Sequence, residues 1–426
     1  DLQSKQSFLQ SCYYPENFDV LSIDIKDYSF SRKEKYPVNE WESFTPVYSN
    51  DSNSSIFKSK CSALKLAPSS LLFHTDKPIL LRRTHEVGSA KGELKTQEVI
   101  EKWFKGQSKP PKLDKVTEDV KKALKCTNTS ELSPYTFRPF LDGWVINNNV
   151  LFESLESIPN SGTRSRPELR LALKNNIIGI ALSPSTKDLD SEINRFASFV
   201  WNLPDNDIVA RGNAMILTTK YPKDYRKGDV ELDSNINDFV SGYLNEDNLI
   251  YYIYAIISSN YYLNRYSGIL YGSFNDTNPL RIPITDNEEK KQKLVNYGKV
   301  LANCENFSDP ISSSYTHGIT TEIINNPFNL KKIKINSNEI ILISETSDIL
   351  EIKEIDTSVL SLKISGHKVV DKWLRERLYS YLRRSINNND VSLLLNLLGR
   401  IKTQLETIKN IDLVISELID KKEIAR

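Results

Sequence analysis

Two hydrophobic periods alternate along this 426-residue chain, and the switches between them outline its organisation. Val20 to Ile25, Ile177 to Leu182 and Ala214 to Thr219 read as short strands, set among loops rich in Asn, Asp, Ser and Pro. In Asp247 to Ser258 the period lengthens: Leu249, Tyr252, Ile253 and Ile256 recur at helical spacing with Tyr251 and Tyr254 on the flanks, which predicts a core helix. Lys331 to Ile335, Glu339 to Ser344, Leu350 to Ile355 and Val359 to Ile364 alternate again and predict a four-stranded meander. Helical spacing then returns over Val369 to Arg384. After a turn at Asn387 to Asn389, a long helix starts from an Asp390 N-cap.

In that last helix Leu394, Leu398, Ile401, Leu405, Ile408, Ile415 and Ile419 follow alternating steps of four and three, interrupted by Asp412. This is a coiled-coil pattern, and residues 390–424 would span roughly 50 Å at the rise of an α-helix. The seam would suit a helical partner. The whole pattern predicts an α+β fold: a mixed domain of short strands and helices, a small β-meander, and a C-terminal helical hairpin with a coiled-coil-like last helix.

Four regions follow from the changes in pattern. Residues 1–130 form a connector, 131–310 a mixed domain, 330–366 the meander, and 367–426 the terminal helices. Within the connector, Arg82 to Lys125 carries 12 Lys/Arg against 7 Asp/Glu, interrupted by Lys109-Pro110-Pro111. Such a stretch is either a phosphate-facing segment or a solvated helix face.

Charge and composition narrow the classes. The near balance of 56 basic and 55 acidic residues excludes a uniformly cationic coat, while leaving room for locally basic loops. Cys12, Cys61, Cys126 and Cys304 are far apart, with no histidine at metal-ligand spacing, which argues against a zinc site or a disulfide framework and for a reducing cytoplasm. No apolar run approaches a membrane span; the richest, Leu249 to Ile257, is half the needed length. Met215 is the only methionine and the numbering opens on Asp1, which together suggest a fragment of a longer chain.

Catalytic signatures are absent from the sequence. No Gly-x-Gly occurs among the 15 glycines and no GxxxxGK[ST], so neither a dinucleotide or methyl-donor turn nor a phosphate-binding loop is visible. Ser133-Pro134-Tyr135 and Asn326-Pro327-Phe328 each lack the second proline of the loop that grips an extruded adenine. The acid-x-lysine spacings at Glu288-Glu289-Lys290 and Glu351-Ile352-Lys353 arise readily in so charged a chain. No cofactor is therefore expected here.

Three collinear segments carry a resemblance. Pro134-Tyr135-Thr136-Phe137-Arg138-Pro139-Phe140-Leu141-Asp142-Gly143-Trp144 resembles the Pro-Tyr-x-Phe-Arg-Pro-Phe-Asp-x-Arg-Trp segment of type ISP restriction-modification enzymes. Tyr251 to Ser259, Tyr262, Arg265-Tyr266 and Arg281-Ile282-Pro283-Ile284 are similar to that family's tyrosine-rich helix and its Pro-Arg-Ile-Pro signature. Lys363 to Arg377 is similar to its Ile-Gly-Gly-Tyr-x-Val-x-Lys-Trp-Leu-Lys-x-Arg stretch. The chain departs from the pattern at Leu141, at Gly143 where the family has Arg, and at Leu280 where it has Pro.

The resemblance implies the target-recognition tail of an enzyme that elsewhere carries a nuclease, a translocating ATPase and an adenine methyltransferase. Its partners would be double-stranded DNA and a methyltransferase domain or subunit, and S-adenosylmethionine would be bound only in that partner or an upstream domain. Reading bases takes Arg, Lys, Asn and Gln at base edges, with Lys, Arg, Ser and Tyr on phosphates. Turn-rich stretches with such groups supply the candidates: Arg164, Arg166 and Arg170; Lys220, Lys223, Tyr225, Arg226 and Lys227; and Asn260 with Arg265. Each could equally be a solvated loop residue. Among the motif residues Tyr135, Arg138 and Arg281, the two arginines sit beside prolines and are open to a structural role with an internal carboxylate. The competing function is a protein-interaction scaffold, docking a partner through the meander and the terminal coiled coil.

Overall fold

In the computed structural model, residues 37–49, 54–174, 177–184, 195–209, 214–222, 231–270, 274, 278–307, 319–320 and 327–424 are described. The strand-like Val20 to Ile25 lies outside them. The fold is α+β, and two sheets organise its first half. One contains β1 (Cys61–Ser62), the other β2 (Phe73–His74). After β2, α1 (Lys77–Ser89), α2 (Gly92–Phe104) and α3 (Glu118–Cys126) form the lysine-rich segment. Here the solvated-face reading fits: Lys95, Lys102 and Lys122 lie on the outside and pair with Glu98, Glu86 and Asp119 of the same segment.

The first resemblance segment folds as a hairpin of β3 (Leu132–Arg138) and β4 (Leu141–Ile146), followed by α4 (Asn149–Ser157) and α5 (Pro167–Lys174). Then come β5 (Gly179–Leu182), β6 (Ala197–Val200), β7 (Leu203–Pro204) and β8 (Met215–Thr218), matching both predicted strand runs. One sheet has the order β2-β4-β3-β7, with β7 parallel to β3; the other is antiparallel with the order β1-β8-β5-β6. Gly143 of β4 faces Phe73 so closely that a Cβ would lie 2.6 Å from its ring. On this backbone a side chain at that position, such as the arginine of the family pattern, would collide with Phe73 and the His74 carbonyl.

The second sheet is buried on both faces. Ala181, Val200 and Ile216 point into one core, while Ile180, Leu182, Phe199 and Leu217 point into the other. Short continuous apolar runs are what such a strand requires. A hairpin of β9 (Lys220–Pro222) and β10 (Leu232–Ser234) follows.

The tyrosine-rich segment is α6 (Glu246–Ser258) and α7 (Asn260–Arg265), with α8 (Glu288–Glu305) packed on α6. Tyr252, Tyr254 and Tyr262 are fully buried, so the predicted core helix is present. Gly298 lets α8 approach α6: a Cβ there would lie 2.0 Å from the Tyr251 carbonyl oxygen. Gly298→Ala is expected to cost about 1–3 kcal/mol by overpacking, read as a lowered Tm; an unchanged Tm would show that the two helices can separate freely.

The meander has three of its four predicted strands: β12 (Leu330–Ile335), β13 (Ile340–Ser344) and β14 (Ile349–Ile352), with β11 (Ile319–Thr320) pairing on the far side of β14. The predicted fourth strand is instead helical at α9 (Thr357–Ser361) before a two-residue strand at Lys363–Ile364. An i, i+1 apolar pair at Val359-Leu360, both buried, suits one helical turn against the core as well as it suits a strand.

The helix predicted over Val369 to Arg384 ends early, as α10 (Val369–Arg375), and a separate turn covers Tyr379–Leu382. The last helix, α11 (Asn388–Asp420), runs 33 residues. Its N-cap is Asn387, three residues before the predicted Asp390. Asn387 accepts from the Asp390 N–H at 3.1 Å, and the Asp390 carboxylate accepts from the Asn387 N–H at 2.9 Å.

The expected seam for an outside helix is corrected by packing. Leu394, Leu398, Ile401, Ile408, Ile415 and Ile419 are all buried in the chain's own cores, and the buried stripe is wider than a two-position seam, taking in Leu397, Ile411 and Leu418. Heptad-like spacing serves intramolecular packing equally well. The helix joins the first core up to Ile401 and the second from Ile408. Asp412, which breaks the pattern, accepts from Ser259 Oγ at 2.7 Å and from the Tyr261 N–H at 3.1 Å, satisfying the start of α7.

At the crossing between the cores sits a buried polar cluster that the sequence pattern did not reveal. Arg195 Nη2 donates to Glu305 Oε1 at 2.9 Å, and Gln404 Nε2 donates to the same oxygen at 2.8 Å. Glu305 Oε2 accepts from Ser198 Oγ at 2.6 Å and the Phe199 N–H at 3.0 Å. One turn earlier on α11, Arg400 Nη1 donates to the Asn303 and Asn306 carbonyls at 2.8 Å each, closing the C-terminal end of α8. No helix among the described residues is long and apolar enough to cross a membrane.

Candidate nucleic-acid interface

A cleft of about 930 Å³ opens between α4, α5 and the turn that joins them. Three consecutive asparagines build one wall. Asn148 caps α4 by accepting from the Leu151 N–H at 3.0 Å, and its amide donates to Glu131. Asn147 Oδ1 and Asn149 Oδ1 accept from Arg170 at 2.9 and 2.5 Å, and the Arg170 guanidinium lies 4.6 Å from the Phe152 ring centre. Arg170 is thus a strut of the wall.

The opposite lip is the turn 161–166. It is fixed by paired backbone hydrogen bonds between Arg164 and Lys65, at 2.8 and 3.1 Å, and by Thr163 Oγ1 donating to the Ala67 carbonyl at 2.9 Å. Ser165 N–H donates to Glu156 at 2.7 Å. Arg164 is exposed, and among the described residues its guanidinium donates to the adjacent Thr163 carbonyl. Arg166 immediately precedes Pro167, which opens α5 in the position where proline is favoured.

Lys220 is exposed on β9, and Lys223, Tyr225, Arg226 and Lys227 lie outside the described residues. Their flanks are informative: Lys220 pairs with Ser234 and Pro222 with Leu232, so β9 and β10 bring the ends of that segment together. The helix α5, which carries Arg170, packs against β9, which carries Lys220.

The third stretch is different. Asn260 to Arg265 is a helix, not a loop: Asn260 is exposed at its start, but Arg265 donates from Nε and Nη2 to Glu40 at 2.8 and 3.0 Å. This bidentate pair fixes α7 to the Val38–Glu42 helix. The sequence showed no carboxylate nearby, since Glu40 lies 225 positions away.

The motif residues are internal. Tyr135 is fully buried and donates to Asp205 Oδ2 at 2.5 Å, while Arg138 Nη1 donates to Asp205 Oδ1 at 2.6 Å. That carboxylate is the internal partner expected for Arg138. Arg281 instead donates to the Phe44 and Glu42 carbonyls at 2.8 and 3.2 Å. The third motif meets the first here: His367 Nε2 bonds the Asp207 carbonyl at 2.9 Å. Burial, helped by the Arg138 charge, pushes the His367 imidazole down to about 4, and burial together with Arg138 also lowers the Lys372 amine. Both acid-x-lysine spacings are engaged in ion pairs: Glu288 with Lys291 at 2.5 Å and Lys290 with Glu423 at 2.9 Å, and Glu351 with Lys353 at 2.7 Å.

Comparison with known proteins places this architecture. The family model of the Type ISP C-terminal specificity domain matches residues 55–394. The fold is similar to three solved structures: the DrdV-DNA complex (TM-score 0.60, 16% identity, 96% of this chain and 42% of that one), the ATP-dependent Type ISP restriction-modification enzyme LlaBIII bound to DNA (0.55, 17%, 91% and 24%), and a nuclease-deletion mutant of the Type ISP restriction-modification enzyme LlaGI with a DNA substrate mimic (0.53, 18%, 92% and 35%). The chain spans less than half the length of each of these relatives. A comparison with curated protein sequences gave no match. On the strength of the family match over most of its length, the chain belongs to the Type ISP C-terminal specificity domain family.

Proposed function

We propose that the chain reads a double-stranded DNA sequence and holds that duplex for an adenine-N6 methyltransferase domain or subunit, in which S-adenosylmethionine would be bound. It would work in a bacterial cytoplasm as the specificity part of a restriction-modification or related phage-defence enzyme. Membership of the specificity-domain family carries the reading, supported by the DNA present in the three similar structures. The contact of α5 with β9 adds a physical basis: the cleft's base-edge chemistry lies beside the strand that carries the exposed Lys220.

Replacing Arg226 and Lys227 together by alanine is expected to weaken duplex binding at low and moderate salt. If both meet phosphates, the slope of log affinity against log salt flattens by about 2. Unchanged binding and slope would remove this segment from the interface. Competition against random DNA tests the broader claim: a specificity domain prefers its site by about 10³-fold or more, whereas a protein-docking scaffold shows no preference.

A further inference from the structure

Arg166 has two unusual features together. Its backbone is held at φ 44°, a region costly for a side chain of this size. Its guanidinium makes no hydrogen bond or ion pair among the described residues, and its Nε is buried without a partner. Arg170 is tied to two asparagines and Arg164 to a carbonyl, so Arg166 is the cleft arginine whose donors find no partner among the described residues. A buried donor without an acceptor is destabilising unless something else supplies one.

What could supply it is limited by charge. Carboxylates lining the cleft outnumber guanidiniums by one, so a phosphate gains little there. Two of those carboxylates, Glu153 on α4 and Glu168 on α5, have no hydrogen-bond or ion-pair partner among the described residues, whereas Glu131 and Glu156 are engaged. A ligand matching this set offers acceptors to an arginine and a donor to a glutamate, side by side. The major-groove edge of a G·C pair does so: guanine presents O6 and N7, and cytosine presents its N4 amine.

Resting on the reading of this chain as a DNA specificity domain, we propose that Arg166 and Glu168 are specificity-determining residues that read a G·C pair in the cleft. The walls suit such a task, because Asn147 to Asn149 and the Lys65–Arg164 pairing fix the surrounding groups before any ligand arrives.

The test uses the full chain and a pool of duplexes randomised over their central positions, with selected sequences counted for the wild type, Arg166→Gly and Glu168→Ala. The wild type is expected to select a site containing a fixed G·C pair. Arg166→Gly is expected to reduce discrimination at that one position by about 5- to 150-fold, leaving other positions and the salt dependence as they were. Glu168→Ala should relax the same position. Because glycine accepts the positive φ and no hydrogen bond or ion pair among the described residues is lost, the glycine variant should keep or raise its Tm, which separates lost reading from lost folding. Equal weakening on all sequences with a shallower salt slope would identify Arg166 as a phosphate contact and overturn the proposal. Unchanged preferences would overturn it too. A folded wild type that selects no sequence at all would instead overturn the reading on which it rests.

Discussion

Glu305→Ala is expected to destabilise the protein by about 3–5 kcal/mol, a large fraction of the roughly 5–15 kcal/mol that holds a domain together. The reason lies in what would remain behind. Glu305 accepts from Arg195, Ser198, Phe199 and Gln404, and the ion pair is only 4% and 2% exposed on its two sides. Removing the carboxylate strands a buried guanidinium and several donors at the point where α11 passes from one core to the other. Replacing Arg195 and Glu305 together by Met and Leu should cost much less, because no unpaired charge is left. Urea unfolding of the two variants measures both values. A loss below about 1 kcal/mol for Glu305→Ala would mean that water reaches the cluster, contrary to its burial.

Asp205→Ala should cost about 3 kcal/mol or more by the same logic. Its carboxylate receives the Tyr135 hydroxyl, the Arg138 guanidinium and the Asp207 N–H at 2.5, 2.6 and 2.8 Å, with the Asp205 side chain 8% exposed. The variant also settles what the first motif does. If Arg138 serves Asp205, then Arg138→Ala lowers stability by a similar amount, and the protein that remains folded binds DNA with an unaltered salt slope. If Arg138 serves phosphate, its loss lowers the slope by about 1 with little change in Tm. The geometry favours the first outcome, because both Arg138 and Tyr135 converge on one buried oxygen pair.

Much of the fold was readable where periodicity was strong and local. The tyrosine helix, both short strand runs, three strands of the meander and the long last helix follow from spacing alone, since burying one face of a helix or strand imposes the period directly. Misplacements fell where local signals were ambiguous. Asn387 and Asp390 are both good caps, and only the reciprocal hydrogen bonds decide between them. Val359-Leu360 satisfies a helical turn or a strand with equal ease.

The site was legible in part. The sequence groups Arg164, Arg166 and Arg170 in one turn-rich stretch, and the structure brings them to one cleft. Their roles differ for reasons that no spacing contains: Arg170 is claimed by asparagines more than twenty positions earlier, and Arg265 by Glu40 at the other end of the described chain. Nothing in the sequence marks Glu153 and Glu168, because a glutamate on a helix is ordinarily a solvated residue. The Asn147-Asn148-Asn149 run was the signal that could have marked the wall.

By itself, the sequence determined the element types and the order of three family-like segments, because period, caps and motif spacing are properties of neighbours along the chain. It also fixed the near balance of 56 basic and 55 acidic residues. Only the tertiary structure decided which of those charges cancel internally. Arg138 with Asp205, Arg195 with Glu305 and Arg265 with Glu40 are pairs separated by 67 to 225 positions. It likewise decided that the coiled-coil-like seam of α11 is spent on the chain's own two cores. Pairing and burial depend on distance in space, and a one-dimensional pattern carries period and composition but not that distance.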